Sequence, residues 1–220
     1  MEKLNEAPLP PAKNEKTFFY TLARGFGWLM ANVFFPTTFH QREIMSDTDA
    51  PYILIANHLS LLDPILLAYA CKKYEIRFLA KKELSRIPVF GAILRKLHII
   101  PVDRHHSDMA AMRQCVMALR EKRVLGIFPE GTRYHEDLMT PIETGTAVLA
   151  LHARAKLVPA YIDRKARLFR RTNVYIGEPM DVAALCPEGF SVNQVQPLTD
   201  KIKARFLAMR EETQKAQIKP

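Results

Sequence analysis

The stretch PYILIANHLSLLDPILLAYACKK, Pro51–Lys73, decides the fold. It opens on an unbroken apolar run (Tyr52–Ala56), too short for a helix and bounded by turn-forming residues, which reads as a strand buried on both faces. It closes on a longer apolar segment from Pro64 that reads as a helix. Between them lies NHLSLLDP, a strand-to-helix turn carrying a histidine and an aspartate five positions apart.

The same alternation continues along the chain. Strands are expected at Ile76–Ala80, His98–Val102, Val124–Phe128, Leu157–Ile162 and Thr172–Gly177. Helices are expected at Pro64–Lys73, Pro88–Leu97, Ser107–Lys122 with a serine N-cap, Thr144–Arg154, and from near Pro197 to the C-terminus. Short apolar strands alternating with helices imply an α/β domain whose mostly parallel central sheet is flanked by helices. With 220 residues, a single domain with a sizeable core is expected.

The N-terminus departs from this pattern. Residues 1–16 form a polar, proline-bearing tail, and residues 17–36 hold seven of the twenty aromatic side chains with one charge, Arg24. Such a segment just reaches the length of a bilayer-spanning helix, about 20 residues. Arg24, Gly25 and Gly27 near its middle favour an interfacial helix over a spanning one. An apolar helix packed on the domain also fits, but the aromatic density favours membrane contact. Residues 37–220 then make up the α/β domain.

Lysine and arginine outnumber acidic residues by 32 to 23, a formal net charge of +9. Anionic partners follow: a membrane surface, acidic substrates or carriers, or nucleic acid. Two clusters concentrate the excess, Lys72–Arg104 and DRKARLFRR (Asp163–Arg171), and each alone is also explained as a solvated face. No nucleic-acid-binding motif accompanies them, so nucleic acid is not an expected partner. Three cysteines without C-x-x-C spacing point to a reducing compartment and small core residues. No cofactor is expected. A metal site built on His58 and Asp63 would need further ligands nearby, and the adjacent pair His105–His106 lacks helical ligand spacing.

The polar residues fall after strands, the edge where open α/β sheets bind ligands. Asp63 before Pro64 suits a helix N-cap, which accounts for the DP pair but leaves Asn57 and His58 unexplained. On a continuous helix, positions five apart diverge by about 140°. A turn instead lets Asp63 fold back onto His58, fixing its tautomer so that the other ring nitrogen takes a proton from a hydroxyl. In FPEGTR (Phe128–Arg133), Gly131 allows close backbone approach, and Glu130 and Thr132 line the turn. Glu130 is suited to orient a hydroxyl-bearing acceptor. Arg133 offers a fork matched to phosphate. Lys81, which ends one strand, and Arg104, which follows another, complete an expected phosphate cradle with Arg133.

NHLSLLD, with Asn57, His58 and Asp63, resembles the N-H-x-x-x-x-D signature of glycerolipid acyltransferases. FPEGTR, the block from Ala80 to Arg104, and Val158–Pro159 resemble their other signatures in order and spacing, over roughly residues 50 to 165. The branch most similar is the 1-acylglycerol-3-phosphate acyltransferases. The resemblance implies transfer of a fatty acyl group from acyl-CoA or acyl carrier protein to the sn-2 hydroxyl of lysophosphatidic acid, giving phosphatidic acid. It implies His58 as base with Asp63, substrate binding by Glu130, Gly131, Thr132 and Arg133, and motif support from Asn57 and Pro159. It also implies an N-terminal apolar helix on the membrane, hence a place at the cytoplasmic face of the cell membrane. Two departures stand out: Glu143 where such enzymes commonly carry lysine, and Leu97–His98 where a glycine is common. Another lysolipid or amine-bearing acceptor, or a non-catalytic basic membrane-binding protein, fits the composition as well.

Overall fold

In a computed structural model of the chain, which describes residues 17–103, 108–133, 137–188 and 190–218, seven strands form one sheet. They are β1 (Thr37–His40), β2 (Tyr52–Ala56), β3 (Ile76–Lys81), β4 (Ile100–Val102), β5 (Val124–Ile127), β6 (Lys156–Ile162) and β7 (Thr172–Ile176). Their spatial order is β1-β7-β6-β2-β5-β3-β4. All neighbouring pairs are parallel except β6–β7, so β1 and β7 run against the other five.

The helices are α1 (Phe18–Leu29), α2 (Ile44–Asp47), α3 (Asp63–Ala70), α4 (Pro88–Lys96), α5 (Met109–Arg120), α6 (Gly145–Ala153), α7 (Val182–Leu185) and α8 (Val192–Ile218). They cover the sheet on both sides, which is why β2 and β5 are buried at every position. Side chains alternate between two cores, as the pleat requires. Ile53, Ile55, Leu125 and Leu157 pack with α5, α6 and α8, where Leu198, Ile202, Phe206 and Met209 form one helical stripe. Tyr52, Leu54, Phe78 and Val158 face the opposite layer, with Leu67 of α3 and Tyr20 of α1.

Three details differ from the sequence reading. Ser107 lies outside the described residues, and the α5 cap is Asp108, whose side chain accepts from the Ala111 N–H. Helix α8 begins upstream of Pro197, which lies inside it; the buried stripe compensates for the hydrogen bond that proline removes. Strand β7 returns antiparallel to β6 because residues 163–171 contain no crossover helix.

The aromatic N-terminal segment is helical as α1, capped by Thr17, and runs on into a π-helical turn at Met30–Phe34. One face is packed on the domain. Tyr20 and Ala31 are buried, and at Gly27 a β-carbon would come 2.9 Å from Tyr69 Cβ of α3, so only glycine permits this approach. No helix among the described residues is long and apolar enough to cross a membrane.

Candidate active site

Strands β2 and β5 are central neighbours, with Ile55 opposite Ile127, so the loops that follow them meet at the carboxyl edge of the sheet. Just past β2, the Asn57 carboxamide continues the sheet as a side chain. Its Nδ2 donates to the Ile162 carbonyl at 3.0 Å and its Oδ1 accepts from the Ile162 N–H at 2.8 Å. Asn57 thereby clamps the end of β2 to the end of β6. Pro159, buried within β6 opposite Ile55, supports this edge from below. Its missing N–H costs nothing there, because the ladder with β7 starts only at Ala160.

His58 comes next. Its Nδ1 lies 2.9 Å from Asp63 Oδ2, and its ring stacks on Phe128 at 4.1 Å, which itself stacks on Phe78 of β3. The imidazole is held by one hydrogen bond and one aromatic face, and with 13% of its side chain exposed it presents an edge to solvent. Among the described residues nothing engages Nε2.

Asp63 is fully buried and begins α3, yet its carboxylate does not cap that helix. Oδ2 accepts from the Leu59 and Ser60 N–H groups, each at 2.7 Å, as well as from the histidine. The capping account of Asp63 therefore gives way to the fold-back one. The carboxylate organises the turn that aims His58.

Glu130 is also buried, and both its oxygens point inward. Oε2 accepts from the His58 N–H at 2.8 Å and Oε1 from the Met139 N–H at 2.9 Å. Burial pushes its carboxyl above the usual glutamate range, partly offset by these two backbone donors. Through these two bonds it joins the FPEGTR turn to the histidine backbone, and it also lines a larger cleft next to the site. Gly131 closes that turn, its N–H donating to the Phe128 carbonyl at 3.0 Å, with φ of +67° in the left-handed region that disfavours a β-carbon.

Thr132 and Arg133 line a cleft of about 380 Å³ together with Ser60 and Lys165. Lys81 is not there. It pairs with Glu83 at 3.5 Å at the end of β3 and lines neither this cleft nor a larger neighbour. Arg104 lies outside the described residues, as do His105 and His106. Among the described residues no three His, Cys, Asp or Glu side chains cluster as metal ligands would. Two contributors escaped the sequence reading. Phe128 was visible only as the start of a turn motif, and Lys165 only as one charge in the Asp163–Arg171 cluster.

A family model for acyltransferases matches residues 36–163, which includes β2, β5, β6 and the site residues from Asn57 to Pro159. The chain belongs to the acyltransferase family. Within that family, a 1-acyl-sn-glycerol-3-phosphate acyltransferase of Bacillus subtilis is 33% identical over 140 residues, covering 61% of this chain and 69% of its own. One of the same description from Streptococcus pneumoniae is 27% identical over 212 residues, covering 91% and 78%. Among solved structures, PlsC of Thermotoga maritima, a 1-acyl-sn-glycerophosphate (LPA) acyltransferase, superposes with a TM-score of 0.66 at 22% identity, over 91% of this chain and 80% of that one. At that identity the likeness is one of fold.

Proposed function

We propose that this acyltransferase moves a fatty acyl group from a thioester to the sn-2 hydroxyl of lysophosphatidic acid, giving phosphatidic acid. The observation that carries the reading is the His58–Asp63 pair, with Nδ1 held at 2.9 Å and Nε2 unengaged among the described residues. The descriptions of the two bacterial relatives support the choice of acceptor. With Nδ1–H donated to Asp63, Nε2 takes the hydroxyl proton as the alkoxide oxygen attacks the thioester carbonyl carbon. The carbon–oxygen bond forms, the carbon–sulfur bond breaks, and the leaving thiolate recovers the proton from His58. Positioned base action of this kind contributes roughly 10²–10⁴-fold. No acyl-enzyme is needed, because the thioester is already activated and no G-x-S-x-G elbow is present. Arg133, beside Thr132, is the group suited to the acceptor's phosphate.

The reaction takes place at a membrane surface in this reading. Phe18, Leu22, Phe26, Leu29 and Val33 form an exposed stripe on the face of α1 and its π-helical continuation away from the domain. Val89, Phe90 and Ile93 of α4 are exposed as well. The two helices meet where Lys96 Nζ sits 3.9 Å from the Phe19 ring centroid. Apolar side chains over two helices, beside cations, match an anionic bilayer interface better than water. The enzyme would then sit on the cytoplasmic face without spanning the membrane.

The experiment is thiol release from palmitoyl-CoA by the full chain on vesicles, with and without lysophosphatidic acid. Release that depends on this acceptor and disappears in His58→Ala is expected. Equal release with a lysolipid lacking the phosphate monoester would instead favour another acceptor.

A further inference from the structure

The second basic cluster, Asp163–Arg171, has no part in the reaction as described, and it ends in a tight hairpin. Arg167 and Arg170 pair as an antiparallel bridge, with the Arg170 N–H donating to the Arg167 carbonyl at 3.0 Å. The turn between them presents Leu168 and Phe169, 55% and 68% exposed. We propose that this tip is a second membrane-insertion point. Leu168 and Phe169 enter the apolar zone of an anionic bilayer, while Arg170 and Arg171 meet the phospholipid phosphates. The inference rests on the membrane reading of α1 and adds a contact that α1 does not supply.

Three observations carry it. The first is backbone conformation. Phe169 has a φ of +56°, at the third position of a turn where glycine or asparagine is favoured. A bulky residue in the left-handed region is an outlier, and this ring, being mostly exposed, recovers little by packing on the domain. A strained residue that holds an apolar side chain out in water points to a use outside the fold.

The second is charge. Residues 164–171 carry five cations and no carboxylate. Arg164 is paired with Asp163 at 3.1 Å, but among the described residues Lys165, Arg167, Arg170 and Arg171 form no ion pair. Apolar side chains that insert, ringed by cations at headgroup height, are the combination that binds an anionic interface.

The third is place. The Phe169 N–H donates to the Phe34 carbonyl at 2.8 Å, and the Thr172 N–H to that of Pro36 at 2.9 Å. Ala166 is buried in a small cluster with Ala31 and Leu66, against which Phe35 packs. The tip is therefore fixed beside the π-helical end of the apolar segment, where Val33 and Phe34 are themselves exposed. The root of the hairpin reaches the reaction site. Lys165 lines the cleft with Thr132 and Arg133, and Asn57 clamps the end of β6 to the His58 loop. Insertion of the tip sets the mouth of that cleft near the lipid phosphates, where an acceptor enters without leaving the bilayer.

The test is sedimentation of the full chain with vesicles of phosphatidylcholine alone, and of phosphatidylcholine mixed equally with phosphatidylglycerol. Leu168→Ser with Phe169→Ser should weaken binding to both roughly ten-fold. Arg170→Gln with Arg171→Gln should weaken it roughly ten-fold on the anionic vesicles only, and lessen its salt dependence. Phe169→Gly should also lose binding yet hold or raise Tm, because glycine relieves the left-handed strain. With short-chain substrates dissolved as monomers, kcat/KM should match the wild type in every variant, since no surface takes part. Folded variants that sediment as the wild type does overturn the proposal. So does Phe169→Gly with a Tm lowered by several degrees, which gives the ring a structural role. Unchanged sedimentation with a raised KM for palmitoyl-acyl carrier protein overturns it in favour of an acidic protein partner. A parallel variant, Phe18→Ser with Leu22→Ser and Phe26→Ser, separates the tip from α1, and loss in both sets is the expected result. If only the α1 variant loses vesicles, the membrane reading stands and the hairpin fails. If only the hairpin variants do, the hairpin stands and the α1 contact fails.

Discussion

Two carboxylates next to His58 do different work, and their surroundings say why. Asp63 gathers three donors on one oxygen, two of them from the loop that carries the histidine. Asp63→Asn keeps an oxygen for these donors but loses the charge that strengthens all three bonds, and it buries an amide N–H group where Oδ1 has no partner, at about 1–3 kcal/mol. Transfer should fall at least a hundred-fold with a lowered Tm, whereas His58→Ala should abolish transfer and keep near-native circular dichroism. Turnover surviving in His58→Ala would remove the base from the mechanism. Glu130 makes a separate, pH-dependent prediction. Burial lifts its folded pKa above the unfolded value, so its contribution to stability is full below about pH 4.3 and is lost as pH rises through the raised folded value. The Tm advantage of wild type over Glu130→Gln should therefore shrink as pH increases over that window. A difference that is flat or grows with pH contradicts the burial account.

At the scale of elements, the central strands and most helices are readable from apolar periodicity, because β2, β5 and β6 are covered on both faces and tolerate little else. β1 was unreadable for the opposite reason: all four of its residues are only half-buried. α2 and α7 are single turns, too short for any period to show. The site was legible where chemistry follows a strand directly, as with Asn57, His58 and Arg133. It was not legible where a contact depends on distant backbone. Only the fold shows that Glu130 reaches Met139, or that Lys165 stands across from Arg133 while Lys81 turns to Glu83. The N-terminal segment is the mixed case, since α1 packs by one face and exposes the other. Removing it entirely would uncover α3 and cut the Tyr20 hydroxyl from the Ile76 N–H, 2.9 Å away. The sharper experiment changes the exposed face alone. Phe18→Ser, Leu22→Ser and Phe26→Ser together should leave Tm nearly unchanged, since exposed substitutions cost within about 0.5 kcal/mol each. Sedimentation with anionic vesicles should nevertheless drop by an order of magnitude or more. Undiminished sedimentation would move the membrane contact elsewhere.

Over the whole molecule, the strand order places the functional loops on both sides of β2, with β5 on one flank and β6 on the other. The His58 loop must keep a fixed height relative to the FPEGTR turn on β5 and to the basic segment leaving β6. Against β5 that height is set by Glu130, through the His58 N–H. Against β6 it is set by Asn57, which bonds both the N–H and the carbonyl of Ile162 after the backbone pairing ends at Ala56 and Ala160. Asn57→Leu keeps the side-chain volume and deletes only this clamp, leaving two buried backbone groups without partners at about 1–3 kcal/mol each. In a chain of this length each kcal/mol shifts Tm by roughly 2–4 °C, so a fall of several degrees is expected. The kinetic consequence separates the clamp from a generic core defect. A His58 loop released from β6 but still held to β5 should lose kcat sharply. The KM for lysophosphatidic acid, whose phosphate is assigned to Arg133 on the β5 side, should move little. An unchanged Tm would mean that the clamp contributes nothing to the fold, and a KM for lysophosphatidic acid that rises as far as kcat falls would mean that the two flanks of β2 are not separately aligned.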